Sequence, residues 1–446
     1  MRTVAPVFPT LGRRGYSIMA AMPSTKLSKV GTKMNRLTGV REIMKDIARA
    51  LKADPSKQWL NLSPGNPLVI PELESMWRSI ARNIVESSEF GSIIGRYGMT
   101  QGYEPFIDAV VETYNRLYDW GITRENVLIT PGTQSLYFLC TNLFAGEMTE
   151  GQKPKQVVVP MVPDYTGYDG VVLDSRSLVS FQAKRTFLGK HEFKYHIDFD
   201  AIRVDAQTGA ILCSRPCNPT GNVLTEQEVM RLLGYAKQFD IPLIIDSAYA
   251  PPFPNLAFTE MRPIFDEHIL HCISLSKAGL PGERVGIAIG HKRYIEVLEP
   301  FFSNVGIHSS RFGQALAAKA MLSKQLEDVS AQVVRPLYQK KLELFKQALT
   351  QFLPDHIAWY LHRAEGSLFA WLWVETEEMN DFEMYQKLKS RGVLCVPGST
   401  FFPGSQGEVP HQHRCMRFSM TAPDEHIEMA AQLLGQELSS HHNLVG

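Results

Sequence analysis

Between about Glu74 and Asn304 the chain alternates stretches of helical spacing with short, almost unbroken apolar runs. The runs are Val127-Leu128-Ile129-Thr130, Gln156-Val157-Val158-Val159, Ala210-Ile211-Leu212-Cys213-Ser214, Pro242-Leu243-Ile244-Ile245-Asp246, Ile269 to Leu275, and Gly286-Ile287-Ala288-Ile289. An apolar run without polar alternation is the pattern of a strand buried on both faces. Separated by helices, such strands predict a mainly parallel sheet with helices on both sides. Further on, a long helical stretch that Pro336 is expected to kink leads to three more runs: Leu368 to Val374, Gly392 to Val396, and Met416 to Met420. These read as strands of a smaller α/β lobe. Ahead of the first lobe, Ile43, Met44, Ile47 and Leu51 share one face of a helix over Arg41 to Leu51, which should pack on the C-terminal lobe. The expected organisation is a basic arm over 1–36, a large lobe over 74–311, and a small lobe built from 37–73 and 312–446.

The residues that follow the apolar runs carry the chemistry. Ligands of open α/β sheets bind beyond the carboxyl ends of the strands. Three runs end on or just before Asn218, Asp246 and Lys277, so three functional groups are delivered to one crevice. That set suits pyridoxal phosphate: an amine to condense with its aldehyde, a buried carboxylate to keep its ring nitrogen protonated, and Asn218 with Tyr249 to hydrogen-bond the ring phenolate. The phosphate has a candidate seat where Pro131-Gly132-Thr133-Gln134 turns into a helix over Ser135 to Phe144. Free N–H groups at that helix start, the Thr133 hydroxyl, Ser274, Ser276 and Arg284 could surround it.

Composition narrows the class without changing it. At 446 residues, two lobes are expected rather than one core. The 46 basic side chains balance 46 acidic ones, which leaves no electrostatic footprint for nucleic acid, and no apolar run is long enough to suggest a spanning helix. Six cysteines are too sparse for a disulfide scaffold, and His411-Gln412-His413 lacks a second cluster to complete a metal site, so no metal is expected. The first forty-one residues hold eight Lys and Arg and no acid. They read as an upstream extension or a basic arm in preference to a transit peptide, because Pro6, Pro9, Gly12 and Gly15 interrupt any amphipathic helix. Cytoplasm is the expected location.

The succession Gly132-Thr133-Gln134, Asn218 to Asn222, Asp246-x-x-Tyr249, Ser274-x-Ser276-Lys277 and the late Arg417 resembles the fold-type I aminotransferases dependent on pyridoxal phosphate. Longer stretches, among them Ser214 to Asn222, Glu365 to Trp373 and Cys415-Met416-Arg417, are most similar to the branch that exchanges amino groups between L-valine and pyruvate. The likeness runs from about Leu37 to Glu437. It implies a large domain with a mainly parallel mixed sheet, a smaller α/β domain, and a homodimer with shared active sites. It implies Lys277 as cofactor anchor and as the base at substrate Cα, and Tyr165 stacked on the cofactor ring. Tyr97 would reach the phosphate of the neighbouring subunit, Arg417 would grip the substrate α-carboxylate, and Gly65 and Asn66 would form a loop closing over it. The implied reaction turns L-valine and pyruvate into 3-methyl-2-oxobutanoate and L-alanine, joining alanine and branched-chain metabolism. A broad alanine or aromatic aminotransferase, or a carbon–sulfur lyase, would keep the same cofactor residues. A regulator that senses the cofactor would need a helix-turn-helix domain for which the residues before Glu42 are too few.

Overall fold

The computed structural model describes residues 25–376 and 379–442. It divides into Met1–Arg36 and Leu37–Gly446. Within the first unit the described part holds one short helix, Lys29–Met34, whose N-cap Ser28 accepts the Gly31 N–H at 3.0 Å. The remainder of the expected basic arm, residues 1–24, lies outside the described residues.

In the second unit a seven-stranded sheet runs in the order Val127–Thr130, Gly286–Gly290, Ile269–Ser274, Leu243–Asp246, Thr208–Ser214, Gln156–Val162, Leu178–Gln182. Only Gly286–Gly290 is antiparallel to its neighbours. The core strands are buried along their whole length, which is why they read as apolar runs and not as alternating ones. Helices Thr133–Leu143, Glu226–Phe239 and Lys292–Gly306 pack on this sheet. Glu226–Phe239 opens with a capping box in which Thr225 and Glu228 satisfy each other's free N–H groups.

A second, six-stranded sheet has the order Val396–Pro397, Cys415–Ser419, Phe369–Glu375, Ala358–His362, Glu192–His196, Lys184–Phe187. Its last two strands form a hairpin that belongs in sequence to the 74–311 segment. They leave the large sheet because Glu192–His196 pairs in parallel with Ala358–His362, and buried Lys194 forms an ion pair with Glu365. The run Gly392 to Val396 is likewise two short strands serving different sheets: Val393–Leu394 pairs with Leu60–Asn61, and Val396–Pro397 with Cys415–Ser419.

The long helical stretch runs without a break from Gln325 to Phe352, and it loses regularity at Pro336: a π-helical turn over Ser330–Val334 interrupts the α-helical pattern just before the proline, which lacks the N–H of a regular ladder. Helix Val40–Ala53 buries Ile43 and Ile47, and its Asp46 accepts from Tyr385 Oη at 2.6 Å and Lys389 Nζ at 2.7 Å. These contacts fasten it to helix Asp381–Ser390, in the C-terminal part of the chain. No helix among the described residues is long and apolar enough to cross a membrane.

Candidate active site

Five strands pointing the same way end at one rim of the large sheet, and each is followed by a candidate group. Thr130 leads to Gly132 and Thr133, Val162 to Tyr165, Ser214 to Asn218, Asp246 closes its own strand, and Ser274 leads through Leu275 to Lys277. Ser214, Asp246 and Cys272 are lateral neighbours in the ladder, so the register itself brings Asn218, Asp246 and Lys277 to adjacent positions.

At the phosphate end, Gly132 caps helix Thr133–Leu143 with φ +81°. A Cβ there would lie 2.2 Å from Arg284 Nη2, and a Cβ on Gly286 would lie 2.8 Å from the Thr133 nitrogen. The two glycines let a guanidinium lie against a helix N-terminus, a seat with N–H groups and positive charge on one side. Arg284 Nη1 donates to Ser276 Oγ at 3.1 Å, and Ser276 N donates to Ser274 Oγ at 3.2 Å, tying the three polar groups together. Gln134 faces elsewhere: its Oε1 accepts from Tyr165 Oη at 3.0 Å. A Gly132→Ala protein is expected to fold and to bind pyridoxal phosphate at least about tenfold more weakly, because the methyl group displaces Arg284 and the φ value is strained. Titration of the cofactor-free protein followed by tryptophan fluorescence checks this.

At the ring end, Asp246 is buried and accepts from Tyr168 Oη at 3.2 Å and from the Ala248 N–H at 3.0 Å, with Tyr137 beside it. Burial raises its carboxyl pKa, against the pull of those donors and of Lys277. A buried acid whose desolvation is not repaid by an ion pair is the environment that a ring N–H cation would complete. Asn218 Oδ1 accepts from Arg417 Nη1 at 3.0 Å, which leaves its amide N–H groups as donors. Tyr249 is buried edge-on to Phe369.

Lys277 Nζ donates to the Gly65 carbonyl at 2.6 Å. Burial, then the charges of Arg417 and Arg284, lower its pKa to about 8. A lysine so placed is neutral often enough near pH 8 to act as nucleophile or base. Arg417 is only 3% exposed and lies between the rings of Phe369 and Phe401, 4.1 and 4.8 Å from their centroids. Nη2 donates to the Ser63 carbonyl at 2.9 Å, Nε has no partner, and burial lowers the pKa to about 10. No carboxylate pairs with it among the described residues. The site thus keeps a desolvated, unpaired cation a short way from a near-neutral lysine. This arrangement, with the Asp246 and Arg284 ends, fits pyridoxal phosphate together with a substrate carboxylate.

Two expected residues stand apart from this cluster. Tyr97 is 86% exposed and edge-on to His308, and Asn66 is exposed. His411 takes the Tyr195 hydroxyl and packs against Trp373, and among the described residues no cluster of three or more His, Cys, Asp or Glu could hold a metal ion. Asp164, Tyr168, Tyr137 and the Phe369–Phe401 sandwich lie outside the residues that the strand-end pattern singles out. Asp164 had one signal, an acid between a buried strand and the expected stacking tyrosine; the others had none.

Known proteins resemble this chain over most of its length. The family model described as aminotransferase class I and II matches residues 57–434. The chain is 34% identical over 411 residues to a valine–pyruvate aminotransferase of Escherichia coli (strain K12), covering 92% of this chain and 97% of that protein. A crystal structure of valine-pyruvate aminotransferase from Salmonella typhimurium LT2 superposes with a TM-score of 0.81 at 33% identity, covering 90% of this chain and 98% of the other. More distantly, an aromatic-amino-acid aminotransferase of Thermococcus litoralis is 24% identical, with 88% of this chain and 91% of that protein covered.

Proposed function

The chain belongs to the class I and II aminotransferases, enzymes of amino acids and 2-oxo acids that use pyridoxal phosphate, and from that premise we propose that it exchanges the amino group between L-valine and pyruvate. The observation that carries an amino-acid and 2-oxo-acid site is Arg417, a buried guanidinium without a carboxylate, at the site that holds Lys277, and the choice of valine and pyruvate is supported by the 34% identity to the valine–pyruvate aminotransferase. An α-carboxylate common to valine, pyruvate, alanine and 3-methyl-2-oxobutanoate repays the cost of desolvating it.

Pyridoxal phosphate, when bound, supplies the electron sink and carries the amino group between the two substrates. The residues of the chain do the rest. Thr133, Ser274, Ser276, Arg284 and the helix N-terminus at Gly132 hold the phosphate, and the partner subunit's Tyr97 adds a donor in a homodimer. Tyr165 covers the ring, Asp246 keeps the ring nitrogen protonated, and Asn218 and Tyr249 hold the phenolate oxygen. Lys277 would anchor the cofactor through Nζ and, once freed by the amino acid, would hold at Nζ the proton taken from substrate Cα. Its pKa near 8 suits both duties. Gly65 and Asn66 close over the carboxylate as the lobe that holds the six-stranded sheet, the 184–196 hairpin included, moves against the lobe that holds the seven-stranded sheet, excluding water.

The test is the purified protein with L-valine and pyruvate. Equal amounts of alanine and 3-methyl-2-oxobutanoate, without ammonia, are expected. Turnover confined to aromatic donors, or release of thiol and ammonia from cysteine conjugates, would replace the substrate assignment and leave the cofactor site standing.

A further inference from the structure

Behind Asp246 lies a second buried carboxylate, and the two are joined by hydroxyl groups. Asp164, 2% exposed, accepts from Ser214 Oγ, from the Tyr165 N–H at 2.6 Å and from the Ser214 N–H at 3.2 Å. Ser214 Oγ lies 3.1 Å from Tyr168 Oη, and Tyr168 Oη lies 3.2 Å from Asp246 Oδ2. The line from Asp164 to Asp246 therefore contains three oxygen–oxygen links. The two hydroxyls bring one proton each. With both acids ionised, two protons serve three links, and one pair of oxygens would meet lone pair to lone pair in a site closed to water. One further proton completes the line, and only a carboxyl can hold it.

We propose that Asp164 and Asp246 share a single proton through Ser214 and Tyr168, and that Asp164 is the protonated, neutral end whenever a cation stands at Asp246. In that state Asp164 Oδ1–H donates to Ser214 Oγ, Ser214 to Tyr168 Oη, and Tyr168 to Asp246 Oδ2, so that every donor points toward the anionic acid. Shifting the three protons one place along the line leaves Asp164 anionic and Asp246 neutral, with no net gain or loss. Asp164 is thus a positioning residue that sets the charge of Asp246 while the pocket holds one buried negative charge rather than two. The use of that charge rests on the reading of Asp246 as the partner of the cofactor ring.

The surroundings agree. Burial pushes the Asp164 carboxyl up to about 7, the hydrogen bonds from Ser214 and Tyr165 oppose this, and the charge of Asp246 adds to it. Asp164 has no ion pair among the described residues. Other titratable groups facing the line are Cys217, 3.8 Å from Asp164 Oδ1, Cys213, and at the far end Cys272, Tyr137, Tyr165, Tyr249 and Lys277. Burial raises the pKa of the three thiols and of Tyr137, Tyr165, Tyr168 and Tyr249, so none of them gives up a proton near neutrality. Lys277, near 8, is reached across Asp246 and lies outside the hydroxyl line.

Isotope-edited infrared spectroscopy of the full chain, with aspartate carboxyls labelled, tests the count with and without pyridoxal phosphate. One protonated-carboxyl band is expected at pH 6, fading as the pH is raised through about 7. Asp164→Asn removes the band from the loaded protein, and Ser214→Ala, which cuts the line but keeps both acids, shifts the pH at which it fades. Absence of the band in the wild type, a band that survives Asp164→Asn, or a midpoint unmoved by Ser214→Ala would each overturn the proposal. Loss of the cofactor's visible absorbance reports on the other reading, because the band of the unloaded chain is counted independently of it.

Discussion

Lys277→Ala will end multiple-turnover transamination, lowering kcat by about 10⁴-fold or more, the scale expected when one group supplies both nucleophile and general base. The variant will still bind pyridoxal phosphate, because the seat made by Gly132, Thr133, Ser276 and Arg284 and the carboxylate of Asp246 do not depend on the lysine. Borohydride reduction followed by denaturation separates the two properties: the cofactor remains fixed to the wild-type chain and washes out of the variant. Turnover retained by Lys277→Ala would remove the residue from both roles. In the wild type, the rate at which added pyridoxal phosphate becomes attached should rise with pH and level off above about 8. The lowered pKa means that the neutral amine is the minority form below that value and the majority above it.

The parts of this site that were legible in the sequence share one physical cause. Strands buried on both faces must be apolar throughout, so the first polar groups after them are conspicuous, and in a parallel sheet those groups fall at one rim. Asn218, Asp246 and Lys277 were found in this way, and the Gly132 turn by its place between a strand and a helix. What was not legible depends on pairing between distant segments. The hairpin over 184–196 has the same local pattern whichever sheet it joins, and its choice is made by Ala358–His362 and the Lys194–Glu365 pair. Asp164 and Tyr168 acquire meaning only because the ladder sets Ser214 beside Asp246. The two rings around Arg417 come from different strand ends, Phe369 at the start of one and Phe401 after another, and no periodicity links them.

That ring sandwich explains why Arg417→Lys is not a conservative change. The guanidinium is held flat by two aromatic faces and directed by Asn218 and Ser63, so its remaining edge is already oriented before a substrate arrives. A lysine ammonium offers no plane to stack and no fork to match a carboxylate. Loss of a buried, hydrogen-bonded charge contact costs about 2–5 kcal/mol, so kcat/KM should fall by about 30- to 5,000-fold for both the amino acid and the oxo acid. The bound cofactor's absorbance should be unchanged, since none of its proposed contacts is removed. Arg417→Met sharpens the test. Without a substrate carboxylate the cation is desolvated and has no ion pair, its Nε lacks a partner, and burial pulls its pKa to about 10. Its ionised form therefore opposes folding, and a methionine of similar length between the same rings is relieved of that cost. The expected result is a thermal unfolding midpoint no lower than that of the wild type, combined with a loss of kcat/KM at least as large as for lysine. A variant that loses stability and activity together would mean that Arg417 holds the lobe together instead of waiting for a carboxylate, and unchanged kinetics in Arg417→Lys would take the substrate away from it altogether.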